Sequence, residues 1–351
     1  MKPIYKPFMP DGILSGIEEI LYSGNLSYGK YGKLFEQQLG GYIGNQLVLT
    51  TISYNQAMLV ALSVLDLKSG DEIIASPVSC LASNQPFVTK GLKVVWADVN
   101  PETGALDPKD VERRITSNTK AIFHNHFCGY LGQIDDVISI ARDNGIFVVD
   151  DCIEAFGSTY KGVKAGGFSS DISVFSFQTV RLPNTIDGGA LAFSNEVLYQ
   201  KAIRARDYGI DRTNFRNSIG EINSNCDIKE EGFGGTMSEI NSFIGIKQMD
   251  ELPRLLEIQK KNAEKWREEI ANIPHLKYLT PINNTEPNYW VCGLLSDTKE
   301  EDILNFRNQG WYATGVHINN NIYSVFKNHE NLKGVNEFIK KFVAVPCGWW
   351  I

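Results

Sequence analysis

Short apolar runs rich in β-formers alternate with helical patterns through the first two thirds of the chain. The runs are DEIIAS (71–76), LKVVWADV (92–99), KAIFHNH (120–126), FVVDD (147–151), ISVFSF (172–177) and GALAFS (189–194). Between several of them lie stretches such as IDDVISIARDNG (134–145), apolar at roughly helical spacing and stopped by a glycine. The runs lack the strict polar alternation of a half-exposed strand, so both faces of the sheet they form must be covered. Strands of that kind joined by helices predict a mostly parallel sheet in an α/β fold. From Met237 a long helical pattern runs to about Ile273, interrupted by Pro253, which is expected to kink the helix or start a new one. Beyond it, YWVCGLL (289–295) reads as a strand, and EEDILNFRNQG (300–310) and GVNEFIKKF (334–342) read as helices. The expected division is a large α/β domain over 1–248 and a smaller C-terminal α+β domain over 249–351.

Composition removes several classes of function. With 351 residues and 43% hydrophobic content the chain can bury one large core and a smaller second one. A net charge of −7 without a dense basic block argues against a nucleic-acid partner. MKPIYKPFMPDG has no apolar stretch of signal-peptide length, and no run is long enough to cross a membrane, so a cytoplasmic protein is expected. The six cysteines are scattered without a CxxC pair, which points to reduced thiols. His124 and His126 sit on one face of a strand and could share a metal, but no carboxylate motif accompanies them. Strand-end packing is the reading adopted, and no metal site is expected. GNLSYGKY (24–31) approximates a phosphate loop, but it carries Tyr31 in place of the magnesium-binding hydroxyl and follows a helical pattern. GFGG (232–235) lacks the third glycine of a dinucleotide fingerprint.

The order VVDD-C-x-EAFG (148–157), YKGVKAGGF (160–168), SVFSFQ (173–178) and DGGAL (187–191) resembles the DegT/StrS-type nucleotide-sugar aminotransferases. SGNLSYGKYGKLFE, RARDYGIDR, GFGGTMSEINSFIGIKQM, TGVHINNN and VPCGWW match further segments of that family in the same order. The resemblance implies the fold of type I pyridoxal phosphate enzymes, a nucleotide-sugar substrate, and a homodimer in which GFGGTMSE crosses to the neighbour. It places Asp151 on the aspartate that pairs with the pyridinium nitrogen, and Ser176, Asn55, Cys80 and Gln178 around the cofactor. It places Glu154 against the ring, and His317, Asn319 and Asn320 on the substrate side.

Aligned without a gap, SFQTVRLPNTIDGG puts Arg181 on the family's aldimine lysine. A Schiff base needs a neutral amine, whereas guanidinium stays protonated with its charge delocalised, so no covalent aldimine is expected. Tyr54 falls where the family's glycine lets backbone approach the phosphate, and it would fill that space. Cys80 stands where an aromatic ring stacks on the pyridine, and Gly234 where the partner sends a polar side chain to the phosphate. Arg181 is expected inside the old pocket, paired with Asp151 or Glu154 or holding an anionic group. Three functions stay open at this point. One is a sugar-pathway enzyme using noncovalent pyridoxal or pyridoxamine phosphate, in the manner of the family's dehydratase branch. The second is a cofactor-free enzyme acting on a nucleotide sugar. The third is a non-catalytic homologue that binds a ligand or partner subunit.

Overall fold

The computed structural model describes residues 1–351. In it, β1 (Val48–Thr51) comes first, and the first four apolar runs become β2 (Glu72–Ala75), β3 (Lys93–Trp96), β4 (Thr119–Asn125) and β5 (Phe147–Asp151). A hairpin of β6 (Thr159–Tyr160) and β7 (Val163–Lys164) precedes β8 (Ile172–Ser176) and β9 (Gly189–Phe193). The seven-stranded sheet runs in the order β1-β9-β8-β5-β4-β2-β3. Neighbours β3/β2, β2/β4, β4/β5 and β5/β8 pair in parallel, and only β9 runs against the rest. β1 and β8 therefore point the same way as the parallel strands, and their carboxyl ends share one edge of the sheet. Every apolar run singled out in the sequence is a strand of this sheet. The four residues VLTT of β1 were too short to show as a run.

Helices cover both faces, as the lack of alternation required. They are α1 (Ile13–Tyr22), α2 (Lys30–Ile43), α3 (Tyr54–Val64), α4 (Leu81–Thr89), α5 (Pro108–Arg114), α6 (Ile134–Asn144) and α7 (Glu196–Arg206), followed by α8 (Glu239–Ile270). The C-terminal part holds β10 (Leu276–Tyr278), β11 (Thr285–Glu286), β12 (Cys292–Ser296), α9 (Lys299–Asn308), α10 (Lys333–Lys341) and β13 (Phe342–Val345). β10, β12 and β13 form a second, antiparallel sheet. Its apolar face packs with Trp266, Ile270 and Phe306 into a core of its own. The chain is thus a mixed α/β protein with a mostly parallel central sheet, and none of its helices is long and apolar enough to cross a membrane.

Of the kink or new start expected at Pro253, no new helix begins there: α8 runs through the proline for 32 residues. Leu252 and Leu255, both fully buried, straddle Pro253. Their packing offsets the single backbone hydrogen bond that proline cannot make. Position 248/249 lies inside this helix, whose amino-terminal part packs against α1 and α2 while α8 also reaches β10.

The start of α2 is held from a distance. It has no side-chain cap of its own, and the buried Glu239 carboxylate takes its place. Glu239 accepts from the backbone N–H groups of Gly29 (2.9 Å), Tyr31 (3.0 Å) and Gly32 (3.0 Å). A carboxylate at a helix amino terminus meets both unpaired donors and the positive end of the helix dipole. Glu239→Ala leaves those donors buried and unpaired. It is expected to lower unfolding stability by about 2–3 kcal/mol, measured by urea denaturation, and Glu239→Gln by less.

Candidate functional site

The carboxyl ends of β1, β2, β5 and β8 converge, and in open α/β sheets that edge is where ligands bind. Asp151 closes β5. Its carboxylate is fully buried and accepts from Ser83 Oγ–H (2.7 Å), Tyr54 Oη–H (3.1 Å) and Ile153 N–H (3.2 Å). Both hydroxyl donors are delivered by helix starts. Ser53 caps α3 by accepting from Gln56 N–H (3.2 Å), which places Tyr54 on the first turn. Ser83 sits in the first turn of α4, one turn beyond Cys80. Burial pushes the Asp151 carboxyl up to about 7, with the nearby Glu154 charge adding to the rise and the two hydroxyls opposing it.

Glu154, three residues on, is buried as well and takes a different set of partners. Its Oε1 receives His317 Nε2 (3.0 Å) and Arg181 Nη1 (3.4 Å), and its Oε2 accepts from Cys128 N–H (2.6 Å). Burial alone would raise this carboxyl, but His317 and Arg181 outweigh it and hold it below the ordinary carboxylate range. Arg181 belongs to the 177–188 connection, which leaves and re-enters the sheet at one point because Ser176 pairs with Gly189. Two glycines follow for want of room: a Cβ on Gly188 would lie 2.3 Å from Thr185 Oγ1, and one on Gly189 2.7 Å from Ser53 O. Arg181 is 7% exposed, lies over the Trp290 ring at 4.3 Å, and leaves its Nε–H without a partner. Of the pairings expected for it, the one with Glu154 is realised. Tyr5, from the amino-terminal segment, stacks on the same indole at 4.7 Å. The cavity bounded by Tyr5, Arg181, Trp290, Trp349 and Trp350 measures about 20 Å³, room for about one water.

The remaining residues named from sequence fall in different places. Cys80 is half-buried, and its thiol is raised mainly by burial and next by the Glu154 charge, so it borders the cluster. Ser176 is buried and spends its hydroxyl locally, accepting from Gln178 N–H at 3.4 Å. The Gln178 carbonyl in turn receives Arg181 N–H (2.8 Å) and so shapes the turn. Asn55 is exposed and makes no hydrogen bond to the cluster. Asn320 clamps the segment before α4, donating to Ser79 O (3.2 Å) and Cys80 O (3.4 Å), while Asn319 turns to Asn321 (2.6 Å). At Gly234 a Cβ would meet Tyr208 Oη at 2.2 Å, so a side chain there would require that exposed ring to swing aside. His124, His126 and Asp150 offer ligand atoms within 4.8 Å of one another. Asp150 is already engaged by His124 Nδ1 and Cys152 Sγ (3.2 Å each), and His126 Nδ1 by Gly132 N–H (3.1 Å), a packed arrangement under the sheet edge.

Sequence reading missed Ser83, Trp290, Tyr5 and the Cys128 backbone. Ser83 and Trp290 sit far along the chain from Asp151 and Arg181, and no local pattern marks such pairings.

The sequence profile of the DegT/DnrJ/EryC1/StrS aminotransferase family matches residues 10–347. The GDP-perosamine synthase of Escherichia coli O157:H7 is 27% identical over 303 residues, covering 85% of this chain and 79% of that protein. The crystal structure of the sugar aminotransferase CalS13 from Micromonospora echinospora superposes with a TM-score of 0.94 at 25% identity, covering 100% of this chain and 96% of that one. An E. coli GDP-4-keto-6-deoxy-D-mannose-3-dehydratase shares the fold, with a TM-score of 0.87 at 23% identity over 99% of this chain and 95% of that one. With its strand order, its site at the carboxyl edge of the sheet and this end-to-end match, the chain belongs to the DegT/DnrJ/EryC1/StrS aminotransferase family.

Proposed function

We propose that this chain is a cofactor-free member of its family that acts on a nucleotide-linked sugar in the biosynthesis of a surface polysaccharide or secondary metabolite. Relatives named GDP-perosamine synthase and spore coat polysaccharide biosynthesis protein support the pathway. The observation that carries the rest is Asp151 closed by Tyr54 and Ser83.

Pyridoxal phosphate would need three things from this site: an ionised Asp151 facing the pyridinium nitrogen, a neutral amine for the aldehyde, and space. Asp151 has its two oxygens engaged by the hydroxyls of Tyr54 (3.1 Å) and Ser83 (2.7 Å). Arg181, read from the sequence as standing in place of the family's lysine, is bound to Glu154. Tyr54 is 1% exposed, its ring buried in the core and its Oη on Asp151. The residues present do not fit the cofactor, and no step is routed through it.

We further propose a homodimer in the cytoplasm. All six cysteines are free thiols, which suits a reducing compartment. Leu14 (76% exposed) and Tyr22 (85%) on α1, with Ile219 (81%) and Ile222 (63%) in the 208–234 segment, are apolar side chains that a second copy would cover. Light scattering at micromolar concentration is expected to return twice the chain mass. A clean monomer there refutes the dimer.

Two measurements address the cofactor. Mixed with pyridoxal phosphate, the protein is expected to show no aldimine band, and Arg181→Lys to stay colourless and resist borohydride fixation, because Tyr54 still fills the pocket. A stable yellow Arg181→Lys protein would sink the reading. The second measurement uses the Asp151 carboxyl, raised from an ordinary 3.8 to about 7. A folded-state value above the unfolded one gives stability that is fully present below the unfolded value and lost as pH rises through the folded one. The melting temperature of the parent is therefore expected to fall between about pH 5 and pH 8. Asp151→Asn should flatten that fall and melt higher than the parent at the alkaline end. An unchanged slope in the variant would show that Asp151 is ionised throughout and free to serve a cation.

A further inference from the structure

His317 enters the site on a strained turn. Its N–H donates to Gly315 O at 2.7 Å, closing a three-residue loop around Val316 at φ 59°. A tight turn of this kind with a positive central φ is rare, and a β-branched residue is among the least suited to it. Such outliers persist where the surroundings hold them, and they cluster at working sites. Here the strained turn delivers the imidazole onto Glu154, with Nε2 3.0 Å from Oε1.

The partners of Glu154 decide how the imidazole is protonated. An ionised carboxylate only accepts, so the proton shared with Glu154 sits on Nε2 of His317. Nδ1 then carries the lone pair. It has no protein partner, and the side chain is 18% exposed, whereas Glu154 is 3% and Arg181 6% exposed at their side chains. A buried carboxylate behind an imidazole with its other nitrogen turned outward is the arrangement that orients a histidine base and stabilises its cation. Arg181, on the same Glu154 oxygen, keeps that carboxylate ionised and supplies a fixed positive charge.

We infer that His317 is the catalytic proton carrier of this site and Glu154 its positioning residue, and that the substrate is a nucleotide-linked sugar bearing a ring carbonyl. The inference rests on the cofactor-free reading above and adds the reaction class. Only the C–H bonds of a sugar that lie next to a carbonyl are acidic enough for an imidazole to open. His317 Nδ1 takes that proton while the C–H electron pair forms a C=C bond and the carbonyl π pair moves onto its oxygen, giving an enolate. The imidazolium shares its Nε2 proton with Glu154, the hydroxyl proton on the deprotonated carbon passes to the enolate oxygen, and the Nδ1 proton returns from the same face to the former carbonyl carbon. Nothing is oxidised or reduced overall, and the net change is isomerisation of the ketone to the neighbouring carbon, with exchange of the carried proton against solvent.

The test uses the full chain in D₂O with GDP- and dTDP-linked 4-keto-6-deoxyhexoses, following deuterium at the carbons beside the ketone by NMR and binding by thermal shift. The parent is expected to bind one of them and to exchange its proton. His317→Gln keeps a donor for Glu154, so it should fold and bind but lose exchange by roughly 10²–10⁴-fold. Glu154→Gln keeps the orientation without the charge, so it should lower the exchange rate by roughly 10–100-fold at unchanged KM. Binding by the parent without exchange overturns the proton-carrier role and leaves the nucleotide-sugar reading standing. Failure to bind any of the probes overturns both. Should His317→Gln melt too low to assay, Glu154→Gln decides: an unaltered exchange rate there overturns the inference.

Discussion

Two carboxylates three residues apart, both withdrawn from water, set the terms for everything around them. A buried carboxylate must either be paired with positive charge or be surrounded by donors and drift toward its neutral form. This chain uses both solutions side by side. Glu154 takes Arg181, His317 and the Cys128 amide and stays ionised. Asp151 takes the hydroxyls of Tyr54 and Ser83 and sits near neutrality. The two choices are coupled, because a fixed charge on Glu154 raises the cost of a second charge on Asp151.

The rest of the molecule holds that pair in place. The parallel strands carry Asp151 to the sheet edge, and α3 and α4 begin there with the residues that face it. The opposite wall comes from the ends of the chain. Trp349 Nε1–H donates to Lys6 O (3.1 Å) and Trp350 Nε1–H to Pro3 O (3.0 Å), which straps the amino-terminal segment across the site. That strap brings Tyr5 onto Trp290, the same ring that carries the Arg181 guanidinium. Trp290 is itself fixed by donating to Val180 O (2.8 Å). Arginine over indole, with the charge paired behind it, is a favourable way to bury a cation.

Membership of an aminotransferase family and the cofactor-free reading proposed here are compatible, because function lives in the site and the fold only positions it. The fold is shared end to end with a sugar aminotransferase. At the same sheet edge, Asp151 is met by Tyr54 and Ser83, and Glu154 by Arg181, His317 and the Cys128 amide. What stays open to solvent is the outward nitrogen of His317, and the chemistry proposed here is what that group can do unaided.

Much of this was readable in one dimension. The parallel sheet followed from apolar runs without alternation, since burial on both faces leaves that pattern in any such sequence. Asp151 and Glu154 were readable because strand-end acids sit at fixed offsets from the run that carries them, and Arg181 because a guanidinium cannot stand in for an amine wherever the chain folds. Tyr54 was visible as an obstruction by its size alone. Only the tertiary structure could say what the obstruction does, because Tyr54 and Ser83 come from two separate strand-to-helix junctions and meet Asp151 at the end of a third strand. The choice of Glu154 over Asp151 as the partner of Arg181 depended on Trp290 and His317, residues of the C-terminal part whose positions no local pattern encodes. Helix continuity through Pro253 was likewise decided by packing, since the leucines beside it gain more from their cores than one lost hydrogen bond removes. Local rules specify which groups stand at the edge of the sheet; which of them pair there depends on distance and burial, which exist only once the chain is folded.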